Sequence, residues 1–321
     1  MKLMAVVLSV CLLALNSAST RAQAVDSKSS EAFQVRKNVL ITDMTGARFS
    51  DQNIEDLKLL EDGSEQKITA LSSNRGQLHL VIVIDDSGSM ASQKVNVTAV
   101  GKFIVQNLEP DAQVQIVRFP SVRFVNEWTS DKEVLLKFFD EAPRPGGSSP
   151  IYDGVWTALD QINVVKTPGD EKRFAVVLIS DCMEGGSLHK REELLDELKK
   201  TNVPLFTVML TEQFDRYQAR VPNARIEFMA KQIERFPHDS ALASGGSAYF
   251  PRRGDNAKLP LAETLKDLTA ELWSQFVLTY TPTNQTHDGK DRKLRIAVAD
   301  TLDNIKRVVR IKATYVGAQS R

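Results

Sequence analysis

Asp85, Ser87 and Ser89 stand at alternate positions in "VIVIDDSGSM", immediately after the uncharged run Leu78–Ile84. Carboxylate and hydroxyl oxygens at this spacing can converge on one small centre if the chain turns tightly, and Gly88 permits such a turn. Two other stretches carry the same chemistry. "GGSSPIYD" offers Ser148 and Ser149 just before a helical pattern, and Asp181 directly follows the apolar run Phe174–Ile179. Two carboxylates and several hydroxyls form a hard, oxygen-only donor set. It suits Mg²⁺ or Mn²⁺ in an octahedral shell that keeps some water. Because most donors are neutral, the ion keeps positive charge, and a carboxylate from outside can complete its shell. Asp86 then acts as a spacer. His79, His189, His238 and His287 lie far apart in sequence, without the spacing of a zinc site.

Each stretch alone has a plainer reading, since Asp, Ser and Gly after a strand often cap the next helix. Agreement among three separated stretches favours the cation. Catalysis is the least expected class. A phosphatase with a nucleophilic Asp85 needs a general acid two residues on, where Ser87 stands. A Gly-x-Ser-x-Gly nucleophile turn and a Gly-x-x-x-x-Gly-Lys phosphate loop are both missing. The alternative is an exported structural protein whose oxygen cluster binds no metal.

Positioning these residues requires strands that end rigidly. Leu78–Ile84, Val114–Phe119, Phe174–Ile179 and Pro204–Leu210 are short apolar runs without alternation. Between them Val97, Val100, Ile104 and Leu108, then Ile151, Val155, Leu159 and Ile162, then Leu188, Leu194, Leu195 and Leu198 recur at helical spacing. "VRFVNEW" reads as an edge strand, "KEVLLKFF" as a helix, "GGSAYF" as a short strand, and Leu261–Leu272 as a last helix. Strands alternating with helices predict an α/β domain with a doubly wound, mostly parallel sheet covered on both faces. Trp128, Trp156 and Trp273 are read as core.

The flanks are β-like. "KNVLITDMTGARF" alternates around Thr45-Gly46, "LKLLEDGSEQKIT" is a hairpin about Asp62-Gly63, and "QFVLTYTP", "KLRIAVA" and "RVVRIKATYV" each read as one strand. Neither flank is large enough to bury a core alone. The two are therefore expected to pair into a small β domain with the α/β domain inserted between them. The expected boundaries are 1–24 for a leader, 25–76 and 275–321 for the β segments, and 77–274 for the α/β domain.

The leader is read from Lys2, the apolar stretch Leu3–Leu15 and Ala22-Gln23-Ala24, the pattern of a cleaved secretory signal. It places the mature protein outside the cytoplasm, secreted or periplasmic, with no membrane insertion after cleavage. Cleavage removes Lys2 and Arg21 and no acid, leaving 39 basic residues against 41 acidic. Such a balance carries no basic stripe for nucleic acid. Cys11 leaves with the leader, so Cys182 remains alone and no intrachain disulfide is possible. Cys182 is expected to tuck against the sheet. Arg253-Gly254-Asp255 is read as a chance match in a polar turn, and the sequons at Asn96 and Asn284 as unused, the first because it falls on an expected helix and both because the leader looks bacterial.

"DDSGSM", "GGSSPIYD" and "VVLISD", in this order and spacing, resemble a von Willebrand factor type A domain with its metal-ion-dependent adhesion site. The likeness covers roughly residues 78–250. The flanks resemble a secreted subgroup of that family first noted in acidobacteria. The resemblance implies a Rossmann-like fold, a divalent cation held by Asp85, Ser87, Ser89, Ser149 and Asp181, and a protein partner that presents an acidic side chain. Ser149 stands where the family has Thr, keeping the hydroxyl but losing the methyl, and Ser148 is the other candidate in that loop. Cys182 stands where a Gly usually follows the last Asp.

Overall fold

Apolar strands without alternation need cover on both faces. A computed structural model of the chain shows how they obtain it. It describes residues 33–43, 53–73, 76–120, 123–124, 126–140, 146–167, 172–201, 203–210, 224–251, 261–273, 276–286, 288–298, 307–311 and 314–316.

The first β segment contains β1 (Val35–Asp43), β2 (Leu57–Glu61), β3 (Ser64–Gln66) and β4 (Ile68–Ser73). The α/β part runs β5 (Leu78–Asp85), α1 (Lys94–Asn107), β6 (Gln113–Phe119), β7 (Arg123–Phe124), α2 (Lys132–Asp140) and α3 (Ile151–Val165). It continues with β8 (Arg173–Ser180), α4 (Arg191–Thr201), β9 (Leu205–Met209), α5 (Ala224–Ser244), β10 (Ser247–Tyr249) and α6 (Leu261–Leu272). The last strands are β11 (Phe276–Tyr280), β12 (Asp291–Val298), β13 (Arg307–Arg310) and β14 (Thr314–Val316).

The central sheet has the order β10-β9-β8-β5-β6-β7. Its first five strands are parallel, and β7 is an antiparallel edge. β5 is buried at every position. Strand alternation sends Leu80, Ile82 and Ile84 to one face, where α1, α2 and α6 supply Val100, Ile104, Leu135 and Leu268. Val81 and Val83 face the other way, against Val155, Leu159, Leu194 and Leu198 of α3 and α4. This is the expected doubly wound sheet. The chain leaves β5 toward β6 on one side and later builds β8, β9 and β10 on the other. The carboxyl ends of β5 and β8 therefore flank the switch point where such sheets form crevices.

The terminal segments pair as expected. They form two antiparallel sheets, β13-β1-β11-β4 and β14-β12-β2-β3, each mixing strands from both ends of the chain. Val39, Ile41, Leu59, Leu278 and Tyr280 bury their shared core. The hairpin turn at Asp62-Gly63 has φ of 50° and 85°, the paired left-handed conformations of a tight two-residue connection. Phe33–Arg321 belong to one compact unit.

Four details differ from the sequence expectation. "RVVRIKATYV" is two strands in two sheets. Leu188 lies outside α4, in the preceding loop, and is 91% exposed. α5 was not anticipated, because Pro237 lies within it and reads as a breaker. Trp128, Trp156 and Trp273 pack at the margins of the core, half-buried, with the Trp273 indole N–H donating to the Asn107 carbonyl. The leader, Thr45-Gly46 and Arg253-Gly254-Asp255 lie outside the described residues.

Candidate functional site

Three chain reversals meet at the carboxyl ends of β5 and β8. Asp85 ends β5, and the following turn carries Ser87 and Ser89 toward α1. Ser149 precedes α3, and its carbonyl accepts a hydrogen bond from Gly185 N–H at 2.9 Å, which joins the second reversal to the third. Asp181 directly follows β8.

Hydrogen bonds connect all five expected residues. Asp85 Oδ2 accepts from Ser149 Oγ at 3.0 Å, and Asp85 Oδ1 accepts from the Ser87 backbone N–H at 2.9 Å. The hydroxyls of Ser87 and Ser89 lie 3.1 Å apart. Ser89 in turn bonds the Asp181 carboxylate. Asp85 and Asp181 are only 1% and 8% exposed. Ser149 is buried and Ser148 is exposed, its hydroxyl turned toward Gly186, so Ser149 is the serine that joins the cluster.

Burial pushes the Asp181 carboxyl above the usual carboxylate range; the Ser89 and Met183 hydrogen bonds oppose that shift, and the Asp85 charge adds to it. Two carboxylates thus sit close together in a poorly solvated place. A cation there would relieve both the desolvation and the repulsion. Among the described residues no group of three or more His, Cys, Asp or Glu side chains is arranged to hold a metal. An ion at this place would rely on serine hydroxyls and water, which is the donor chemistry of Mg²⁺ or Mn²⁺ rather than zinc.

Ser180 was missed by the sequence reading. Its hydroxyl donates to Asp85 Oδ2 at 2.6 Å and accepts from the Cys182 N–H at 2.8 Å. Its place at the end of an apolar strand, beside Asp181, was the available signal. Glu184 was also missed. Its Oε2 accepts from the N–H groups of Ile151 and Tyr152 at 2.9 and 3.2 Å, capping α3 from another loop. Asp153 likewise anchors a loop, accepting from the backbone of Leu188 and His189 and from the His189 ring. His189 stacks on Trp156 with ring centres 4.0 Å apart.

Asp86 is more than a spacer. It points to the opposite face and pairs with Arg118 at 3.1 Å, both side chains buried. Cys182 is buried as expected, with φ of 59°. Burial, followed by the charges of Asp181 and Asp85, pushes its thiol well up, which suppresses the reactive thiolate. Asn96 is buried on α1 and donates its amide to Gln93, a poor setting for glycosylation.

Residues 79–230 match the family model described as the von Willebrand factor type A domain. No curated protein matches the chain. Solved structures similar to it include an aerotolerance-related membrane protein from Bacteroides fragilis, 15% identical over 61% of this chain and 98% of that one, TM-score 0.44. The conserved hypothetical protein BatB from Bacteroides thetaiotaomicron is 13% identical over 61% and 97%, TM-score 0.43. The von Willebrand factor type A domain of SpRpn10 is 16% identical over 60% of this chain and 94% of that one, TM-score 0.40.

Proposed function

We propose, from the premise that residues 79–230 of this chain form a von Willebrand factor type A domain, that the protein is an exported, non-enzymatic binding module whose oxygen cluster holds a divalent cation. Asp85, Ser87, Ser89, Ser149 and Asp181 would hold it. Mg²⁺ or Mn²⁺ would supply a positive centre able to accept a carboxylate from a partner protein. The observation that carries this reading is the convergence of three separate reversals on two buried carboxylates that have serine hydroxyls and, among the described residues, no side-chain cation between them.

The protein's own residues have distinct parts in this scheme. β5 and β8, buried in the central sheet, fix the positions of Asp85 and Asp181. Ser180 turns the Asp85 carboxylate, and Glu184 secures the start of α3 beside Ser149. The leader pattern supports export, and no helix among the described residues is long and apolar enough to cross a membrane.

A second reading, a metal-free structural domain, has one observation in its favour. Both Asp85 oxygens already accept hydrogen bonds from within the protein. Thermal unfolding in millimolar Mg²⁺ and in chelator separates the two. An ion that binds only the folded state raises Tm by mass action, and Asp85→Ala abolishes the rise while the far-UV spectrum stays native. Equal Tm in both conditions for the unmodified protein would leave the structural reading standing.

A further inference from the structure

We propose that the loop after β8 adds an apolar subsite to the cation site, and that the partner protein docks there with an extended segment carrying an apolar side chain within a few residues of its carboxylate. The inference rests on the cation reading above. Met183 and Leu188 are 41% and 91% exposed, both among the large apolar side chains that face water. A single exposed apolar side chain needs no explanation. Here two stand on one loop, residues 182–190, and that loop directly follows Asp181.

The loop is fastened to the site itself. The Met183 N–H donates to Asp181 Oδ1 at 3.0 Å, and the Gly185 N–H donates to the Ser149 carbonyl at 2.9 Å, so two of the expected cation ligands hold it. The N–H groups of Leu188 and His189 donate to the two Asp153 carboxylate oxygens at 2.8 and 3.0 Å. Side chains presented on a pinned backbone lose little freedom on binding, which favours a contact there. Asp153 lies about one helical turn beyond Ser149, on the order of 6 Å along α3. Leu188 is therefore within roughly four residues of extended chain from the cation site. Charge selects the same partner. The Glu184 carboxylate is taken up by the N–H groups of Ile151, Tyr152 and Ser187 and by the Ser187 hydroxyl, and Asp153 by the loop backbone. Beyond the loop, Glu193 accepts from the Lys190 backbone and Glu192 pairs with Arg191. The Lys190 side chain is exposed. The outer face of the loop thus offers two apolar side chains and a cation, which suits an acidic segment with an apolar side chain and removes apolar surface from water when it docks.

The test uses the full mature chain and fluorescently labelled synthetic peptides, in millimolar Mg²⁺ and in chelator, followed by anisotropy. In one set a glutamate and a leucine are separated by about one to four glycines, in either order, to cover the reach of the loop. In the matched set serine replaces the leucine. The inference expects at least one leucine peptide to bind in Mg²⁺ and not in chelator, about tenfold tighter than its serine match. Leu188→Ser and Met183→Ser together should bring that peptide to the level of its serine match and leave the serine peptide unchanged; both positions are exposed, so native Tm is expected. Equal binding of the two sets would overturn the inference and leave the cation reading in place, as would no peptide binding by a protein whose Tm still rises in Mg²⁺. Leucine-peptide binding that survives chelator, or survives the double variant, would place the apolar contact elsewhere and overturn it too. A Tm that does not respond to Mg²⁺ would remove the cation reading, and the inference with it.

Discussion

Two buried carboxylate clusters in this chain are built from similar groups to opposite ends. In the terminal sheets, Glu61 is 3% exposed and accepts from the Tyr280 and Tyr315 hydroxyls at 2.6 and 2.7 Å. It is one carboxylate with two donors, all three on strands, and it ties β2 and β14 of one sheet to β11 of the other. Burial pushes both phenols up, and donating to Glu61 contributes in each case, so they remain donors at ordinary pH. At the ends of β5 and β8, two carboxylates share small hydroxyls that lie on loops or at a strand end. A rigid, charge-sparing cluster spends its donors on cohesion. The loop cluster retains a repulsion that a cation would relieve, and its hydroxyls can turn their lone pairs toward one.

The largest effect is expected where the groups cannot turn. Glu61→Leu removes the shared acceptor of two buried tyrosine hydroxyls, leaving them only each other, and should cost about 3 kcal/mol in urea unfolding, with no change in metal response. A loss under about 1 kcal/mol would show that the terminal cluster is not a cohesive element. At the loop cluster, Ser149→Ala should weaken Mn²⁺ binding about tenfold, near 1.4 kcal/mol, with Ser148→Ala close to the unmodified protein. The reverse order would move the ligand to the exposed serine.

The smallest effect has the opposite sign. The folded-state pKa of Asp181 is raised, so its ionised form weakens the metal-free fold above the ordinary aspartate range. That cost is present at neutral pH and disappears as the pH falls below the raised value. Asp181→Asn should therefore stabilise the metal-free protein at neutral pH by up to about 1 kcal/mol, and the gain should vanish in acid. A destabilised variant at neutral pH would place Asp181 with Glu61, as a cohesive carboxylate.

The doubly wound sheet was legible because each buried strand is a short apolar run, and a helix-period segment follows most of them. Asp85, Ser87, Ser89 and Asp181 were legible because they adjoin those runs, so the strand end dictates where they sit. The choice between Ser148 and Ser149 was not, since both precede α3 and only loop geometry turns one inward. Ser180 and Glu184 escaped notice because their partners are remote in sequence; Glu184 caps a helix that begins 33 residues earlier. The same distance hid the Arg118–Asp86 pair. Leu188 misled because it fits a helical spacing with Leu195 and Leu198, although its backbone N–H is held by Asp153 in the loop. α5 was hidden by Pro237, whose missing N–H the helix tolerates in context.

Isothermal titration of Mn²⁺ and Mg²⁺ into the chelator-treated mature chain tests the central claim most directly. The account predicts one saturable site that is lost in Asp85→Ala and retained in Glu61→Leu, provided the latter is folded. Flat heats at millimolar metal with the unmodified, folded protein would contradict it, leaving the oxygen cluster a hydrogen-bonded junction between loops.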